Sequence, residues 1–209
     1  MEEPDYYFTI EGPVTAETKV RGSRFIAHAF PLESAGEFKI RRNEIKKANP
    51  KATHHCFAYR LGWDGNDFRV SDDGEPSGSA GRPILGQIDS KSLINTGIVV
   101  TRYFGGTMLG VPGLIHAYKS AAALALQTTP ILRLPVEKTL TLEFDYTQVN
   151  AVMMIIKVVG GKLLRQELQL YCRLSVAIPK NRLEEFTYRL AEIRNLEMNP
   201  TIQPAKGAD

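Results

Sequence analysis

The run TGIVVTRYF, residues 96–104, constrains the fold more than any other segment of the chain. Its side chains are apolar on both faces through Val100, a pattern typical of a strand in the middle of a sheet. Residues 113–127 follow after a glycine-rich loop and are so rich in alanine and leucine that most of the helix circumference must be buried. The sequence therefore predicts a central strand and a core helix.

The rest of the first half has the pattern of alternating strands and helices. The predicted elements are a strand at residues 19–32, a helix at 33–49, a strand at 53–61 and a short helix at 77–88. Ser34 is the expected N-cap of the first helix, and Pro50 closes that helix.

The second half begins after residues 128–135, TTPILRLP, whose two prolines mark the predicted domain boundary. The predicted elements are a strand at 137–145, a helix at 148–159, strands at 162–166 and 168–178, a helix at 181–195 and a strand at 196–202. This βαββαβ order is the ferredoxin-like arrangement. Met153, Met154, Ile155 and Ile156 are interpreted as core filling. The sequence thus predicts an α+β protein with domains at residues 1–132 and 136–209.

Composition and cysteine spacing indicate in which cellular compartment the protein is expected. No segment approaches the roughly 20 apolar residues that span a bilayer, and the acidic, aromatic start MEEPDYYF is unlike a secretory signal. Cys56 and Cys172 fit no metal or redox spacing, so reduced thiols are expected. The net charge of +3 permits contact with nucleic acid without arguing for it. We expect a cytoplasmic protein with no membrane partner, and the sequence does not predict its oligomeric state.

The run SDDGEPSGSAGRPIL, residues 71–85, contains three acidic residues, namely Asp72, Asp73 and Glu75. In one interpretation, backbone N–H groups at residues 78–81 and the side chain of Arg82 hold a phosphate, and Mg²⁺ bridges it to these carboxylates. In the other, the acids are structural: they cap helix ends and pair with Arg82 or Arg102. The structural interpretation is favoured, because acid and glycine clusters are common at turns for backbone reasons alone.

A second candidate stretch follows the central strand. Arg102 and Tyr103 lie at the strand end, where α/β sheets often bind ligands. The next loop has four glycines without a Walker lysine, which disfavours that class of NTPase. Lys119 on the following helix could contribute a cation. In the preceding run, Ser77 is a further ligand candidate. No Gly-x-Ser-x-Gly motif marks Ser77 as a nucleophile. A tight strand-to-helix crossover explains the glycines equally well.

His54, His55 and Cys56 suggest a metal site only weakly. Strand alternation places His54 and Cys56 on one face and His55 on the other, so at most two of the three could bind one ion. A buried, hydrogen-bonded histidine is the preferred interpretation. No metal site is predicted here.

The first predicted helix carries a basic stripe, formed by Lys39, Arg42 and Lys46. Such a stripe could contact several phosphates of an RNA backbone, and a solvated helix face is the alternative. The stripe has no aromatic residues on which bases could stack, so sequence-specific recognition is not expected there.

The run at residues 71–85, followed by VVTRYFGGTMLGVPGLIHAY, resembles the signature of the IMPACT family in its bacterial two-domain branch. The upstream HHCFAYRLG and SRFIAHAF match as well, so the resemblance covers nearly the whole chain. It implies a first domain with the fold of ribosomal protein S5 domain 2, shared with the ribonuclease PH core. It also implies a second domain like a C-terminal domain of elongation factor G. Eukaryotic relatives restrain a translation-control kinase by competing for its activator at the ribosome, so the resemblance implies a role near translation.

The leading functional prediction is a binding protein linked to translation regulation, which associates with RNA, the ribosome or a translation factor through its first domain. One alternative is a Mg-dependent phosphate-transforming enzyme of nuclease or phosphorolytic type, in which carboxylates hold Mg²⁺ and arginines hold phosphate. Another is a protein-only adaptor. No catalytic residue, DNA partner or firm cofactor is predicted, and Mg²⁺ belongs to the enzyme alternative alone.

Overall fold

The computed structural model describes residues 4–169, 171–193 and 197–199 of the 209-residue chain. The chain divides into two compact units, Tyr7–Leu134 and Pro135–Asp209, and the short stretch before Tyr7 groups with the second. Each unit combines helices with a β-sheet, so the predicted α+β class is confirmed. None of the described helices has the length and apolar character needed to cross a membrane.

The first part of the chain builds a five-stranded sheet with three helices. Its elements are β1 (Tyr6–Ile10), β2 (Val14–Val20), β3 (Ser23–Pro31), α1 (Ala35–Ala48), β4 (His54–Leu61), β5 (Asp67–Ser71), α2 (Gly81–Ser90), β6 (Thr96–Tyr103), α3 (Gly110–Gln127) and β7 (Ile131–Pro135). The antiparallel sheet has the order β2-β3-β6-β4-β5, so the strand predicted at residues 96–104 is its centre. Strands β1 and β7 form a separate pair.

Strand alternation gives this sheet two buried faces. On one face, Phe25 of β3 and Val100 of β6 pack with residues of α2 and α3. On the other, Val99 and Phe57 pack with Phe38 of α1, whose ring centroid lies 5.0 Å from that of Phe57. Because helices cover both faces, β6 must be apolar on both sides, which is the pattern seen in its sequence.

Helix α1 begins at the predicted cap. Ser34 Oγ accepts a hydrogen bond from the backbone N–H of Glu37 at 3.2 Å, and Glu37 Oε2 accepts one from the backbone N–H of Glu33 at 2.9 Å. This reciprocal pattern resembles a capping box and fixes where the chain enters the helix.

The single strand predicted at residues 19–32 is wrong, because these residues contain the turn of a hairpin between β2 and β3. Arg21 and Gly22 form the turn with φ of 44° and 81°. Gly105 lies directly against this turn, and a Cβ at position 105 would be 1.9 Å from the backbone carbonyl carbon of Gly22. The glycine-rich loop after β6 therefore permits close approach of two backbones.

The second unit has the predicted βαββαβ order. Its elements are β8 (Glu137–Asp145), α4 (Val149–Val158), β9 (Lys162–Leu168), β10 (Tyr171–Pro179), α5 (Leu183–Ala191) and β11 (Glu197–Asn199). The sheet order is β11-β8-β10-β9. The strand predicted at 196–202 lies partly outside the described residues, which show β11 alone.

The core-filling prediction for α4 is wrong for its two methionines. Val152 and Ile156 are 0% and 3% exposed, whereas Met153 and Met154 are 37% and 69% exposed. Successive helical residues are rotated by about 100°, so residues four apart share the inner face while those between them turn outward. The apolar run is longer than the face that α4 buries.

Candidate functional site

Several predicted ligand-binding residues gather at one end of the five-stranded sheet. Strand β6 ends there and β4 begins there, with His54 directly opposite Arg102 in the register. The loop from β5 to α2 contacts both strands through Asp73 and Glu75. The structure thus brings Asp72, Asp73, Glu75 and Arg102 together.

The carboxylate of Asp72 occupies the N-terminus of α2. Its Oδ1 accepts hydrogen bonds from the backbone N–H groups of Ala80 at 3.0 Å and Gly81 at 2.8 Å, and its Oδ2 accepts one from Gly78 at 2.9 Å. Burial by itself would raise the pKa of Asp72, but these donors and Arg82 outweigh burial and hold the pKa below its usual value. The donors proposed to hold a phosphate are therefore already engaged by the chain's own carboxylate.

Glu75 and Arg102 form a buried ion pair. Glu75 Oε1 accepts hydrogen bonds from Arg102 Nη1 at 2.6 Å and from the Tyr118 hydroxyl at 2.7 Å. The side chains of Glu75 and Arg102 are 4% and 6% exposed. The guanidinium carbon of Arg102 also lies 5.5 Å from the ring centroids of both Phe25 and Phe104. The ion pair is thus enclosed by aromatic rings, where loss of either charge leaves the other unpaired and away from water.

Cys56 extends this network on the same face of β4. Its Sγ lies 3.3 Å from the Tyr118 hydroxyl and 3.0 Å from the backbone carbonyl of Asp72. Burial raises the pKa of the Cys56 thiol to about 12, so the thiolate needed for nucleophilic chemistry does not form near neutral pH. Burial raises the pKa of Tyr118 as well. Cys56 therefore acts as a small buried packing residue.

Asp73 joins this loop to β4 and α1. Its Oδ2 accepts a hydrogen bond from the backbone N–H of His55 at 2.7 Å, and its carbonyl oxygen lies 2.8 Å from His54 Nδ1. Its Oδ1 accepts a weaker hydrogen bond from Arg42 at 3.4 Å, and the Arg42 guanidinium carbon lies 4.6 Å from the Phe57 ring centroid. With φ of +43°, Asp73 occupies the left-handed region, which aspartate tolerates better than most residues.

Replacing Asp73 with alanine is expected to lower the free energy of unfolding by about 1–3 kcal/mol, because the His55 amide and Arg42 both lose an acceptor. Urea denaturation followed by circular dichroism measures this loss. Asp73→Asn is the matched control: it retains an acceptor and tolerates positive φ, so it should lose less. An unchanged urea midpoint in the alanine variant would contradict the structural role and favour ligand binding by this residue.

His55 points to the opposite face of β4, as strand alternation predicts. It is 4% exposed and lines a pocket whose wall includes residues of α1. Within the described ranges, no three His, Cys, Asp or Glu residues are arranged to hold a metal ion.

Other predicted residues lie outside the buried network. Ser77, Arg82 and Lys119 are exposed. Tyr103 is half-buried, and its hydroxyl donates a hydrogen bond to Asn49 Oδ1 at 2.8 Å, which ties the end of β6 to the end of α1. The sheet end thus separates into a buried network and a surrounding exposed surface.

The basic stripe of α1 also contains both exposed residues and a half-buried one. Lys39 and Lys46 are exposed and remain available to solvent. Arg42 is half-buried and is engaged with Asp73 and Phe57. Two of the three predicted RNA contacts therefore lie on the surface, and the third supports the fold.

Sequence reasoning missed Tyr118, the residue that links Cys56 to Glu75. The signal was present, because a tyrosine on the buried face of an alanine-rich helix must find a hydrogen-bond partner for its hydroxyl. Tyr118 is 0% exposed and packs edge-on against Phe25 with ring centroids 5.1 Å apart. Nothing in the linear sequence indicates that this partner is Glu75.

The fold and the buried network define a two-unit α+β protein whose first unit carries an enclosed Glu–Arg–Tyr cluster. Residues 21–126, which contain the whole cluster, match the family model described as the Impact N-terminal domain. The chain belongs to the IMPACT family, and the membership predicted from the two motifs is confirmed.

Similar proteins cover both units. The IMPACT family member YigZ of Escherichia coli (strain K12) is 34% identical over 185 residues, which cover 86% of this chain and 89% of that protein. An IMPACT family member of Haemophilus influenzae is 33% identical over 189 residues, covering 89% of this chain and 91% of that protein. A solved structure described as the crystal structure of a hypothetical protein has a TM-score of 0.78 at 29% identity, covering 96% of this chain and 100% of that one.

Proposed function

We propose that this chain is a binding protein linked to translation regulation and that its first domain associates with RNA on the ribosome. Membership of the IMPACT family supports the link to translation. The observation that carries the choice of RNA is the solvent face of α1, where the side chains of Lys39, Lys46 and Lys47 are exposed. Within the described residues these lysines have no ion-pair partner, so their charges are available to phosphates.

The hydrogen bonds that the carboxylates of Asp72 and Glu75 already accept favour a binding function over Mg-dependent catalysis. Both oxygens of Asp72 accept backbone hydrogen bonds, and Glu75 Oε1 accepts from an arginine and a tyrosine. A Mg²⁺ ion binds through carboxylate oxygens, so these donors would compete with it for Asp72 and for Glu75 Oε1. RNA binding by α1 uses none of these oxygens, because its lysines are exposed to solvent.

The same proposal includes the finer assignment of the two folds. The first domain is assigned to the fold of ribosomal protein S5 domain 2, as the family resemblance implies. The second is assigned to the ferredoxin-like fold resembling a C-terminal domain of elongation factor G. The βαββαβ order and the β11-β8-β10-β9 sheet support the second assignment.

Cosedimentation of the purified chain with ribosomes over a salt series tests the function. Wild-type binding should weaken as salt rises, and Lys39→Glu with Lys46→Glu should reduce the slope of log affinity against log salt by about 1.5, since each lost phosphate contact contributes about 0.7–0.9. The control combines Lys19→Glu with Lys157→Glu, which makes the same charge change at exposed positions elsewhere and should leave the slope unchanged.

Three results would contradict this proposal. An unchanged slope in the α1 variant would exclude this helix as the contact. Binding that is insensitive to salt would favour the protein-only adaptor. No ribosome binding at low salt, together with Mg-dependent turnover of a phosphorylated substrate, would favour the enzyme.

A further inference from the structure

A pocket of about 640 Å³ lies between the C-terminal half of α1 and the first residues of β4. Its volume is in the usual range for small-molecule sites. Lys46 and Lys47 line it from α1, and His55 and Asp73 line it from the sheet side. This pocket is separated from the Glu75–Arg102 cluster by the sheet, because His55 and Arg102 side chains point to opposite faces.

His55 lines this pocket and carries an unsatisfied polar atom. The side chain is 5% exposed, and its Nε2 is buried with no hydrogen-bond partner in the described part of the chain. Its other ring nitrogen, Nδ1, lies 3.9 Å from Asp73 Oδ2. A buried ring nitrogen without a partner is costly, so a ligand that hydrogen-bonds Nε2 would be stabilised there.

The charges around His55 favour an anion. Burial lowers the pKa of His55; the charge of Asp73 and a hydrogen bond from the ring to the Asn49 backbone carbonyl oppose that shift, and Lys46 and Arg42 add to it. On β3, which is separated from β4 by β6, burial and then the charge of His55 lower the pKa of His28. Burial and the charges of Lys46 and Arg42 thus disfavour a proton on this ring, and an anion bound beside the ring would oppose both effects.

Among the described residues that line the pocket, Asp73 is the one acidic side chain, and it is already engaged. Its carboxylate accepts hydrogen bonds from the His55 amide and from Arg42. The exposed Lys46 and Lys47 have no ion-pair partner in the described ranges, so the pocket mouth is net positive.

We propose that this pocket binds a phosphate group of a nucleotide, with His55 Nε2 and the ammonium groups of Lys46 and Lys47 as its ligands. Phosphate fits because it carries up to two negative charges for two lysines and can accept from or donate to the ring nitrogen. The organic part of a nucleotide fits because Pro50 and Ala52 supply an apolar wall and the volume exceeds that of an inorganic anion. The site goes beyond the proposed function, since a free nucleotide would occupy it without a ribosome.

The test is a pH titration of the histidine ring resonances of the full chain by NMR. His55 is assigned by its loss in His55→Gln, and spectra are recorded alone and with inorganic phosphate, AMP or a short single-stranded RNA. AMP should shift the His55 resonance saturably and raise its pKa by about one unit, because an anion close to the ring favours the protonated form. Inorganic phosphate should give a smaller shift, since it lacks the organic part.

The phosphate could belong to a free nucleotide or to RNA, and the relative affinities of AMP and the short RNA distinguish the two. RNA binding at least tenfold tighter than AMP would identify RNA as the source, and equal or weaker RNA binding would identify a free nucleotide. Lys46→Gln and Lys47→Gln should each weaken AMP binding about tenfold, while Lys39→Gln should not change it, because Lys39 does not line the pocket.

Two outcomes would overturn the site: a His55 resonance that responds to none of the three probes, or AMP binding that Lys46→Gln and Lys47→Gln leave intact. Ribosome cosedimentation separates this proposal from the preceding one. A His55 response without ribosome binding would contradict only the proposed function, and ribosome binding without a His55 response would contradict only the phosphate site.

Discussion

Replacing Arg102 with methionine is expected to lower the free energy of unfolding of the first domain by about 3–5 kcal/mol, since it leaves the Glu75 carboxylate buried without its counter-charge. The Glu75 side chain is 4% exposed, so water cannot replace the lost guanidinium. Urea denaturation of the purified variant, followed by circular dichroism, measures the loss.

The matched control removes both charges, in a double variant with Arg102→Met and Glu75→Leu. Replacing a buried ion pair by apolar side chains is often close to neutral, so the double variant should be more stable than Arg102→Met alone. Arg102 Nε has no hydrogen-bond partner in the described part of the chain, which is a further reason for the ion pair to be replaceable. If the double variant were as unstable as the summed losses of the two single variants, the ion-pair explanation would be wrong.

Replacing Asp72 with alanine is expected to lower the free energy of unfolding by about 2 kcal/mol or more, because three backbone N–H groups at the start of α2 lose their acceptor. Thermal and urea denaturation both report this loss. Asp72→Asn is the matched control, because its carbonyl oxygen still accepts from Ala80 and Gly81 while its amide nitrogen faces the Gly78 donor. It should lose less than the alanine variant.

The difference in the free energy of unfolding between wild type and Asp72→Asn is expected to depend on pH. The folded-state pKa of Asp72 lies below its usual value of 3.8, so the ionised carboxylate stabilises the fold above that value and the contribution is lost as pH falls through the folded-state pKa. The stability difference between wild type and Asp72→Asn should therefore be constant down to about pH 5 and shrink below about pH 4. A difference that stays constant to about pH 3 would contradict the assignment.

The sequence predicted the elements that are strongly patterned. Strand β6 and helix α3 are apolar because they are covered on more than one side, and that burial is visible in the linear sequence. Strands β2 and β5 were missed because they are edge strands with half-buried or exposed residues. An edge strand is held mainly by backbone hydrogen bonds to its neighbour, which any side chain permits.

The sequence also predicted which residues of the candidate site would lie near each other, but not how they pair. Asp72, Asp73 and Glu75 are neighbours in the chain, yet each has a separate role in capping α2, joining β4 to α1, or neutralising Arg102. At the start of α2, the carboxylate of Asp72 accepts from the backbone donors that the phosphate interpretation had assigned to a ligand, and it reaches them at no cost in translational entropy.

The amino-acid sequence by itself determined the family, the α+β class and the order of the strongly patterned elements, because burial periodicity and motif spacing are properties of the linear chain. Only the tertiary structure decided that Tyr118 meets Glu75, that Arg42 faces inward, and that His55 and Lys46 share a pocket. These contacts join segments distant in sequence, and their geometry depends on strand register and helix packing. A one-residue change in register would place His55 on the other face of the sheet, and no local pattern encodes that choice.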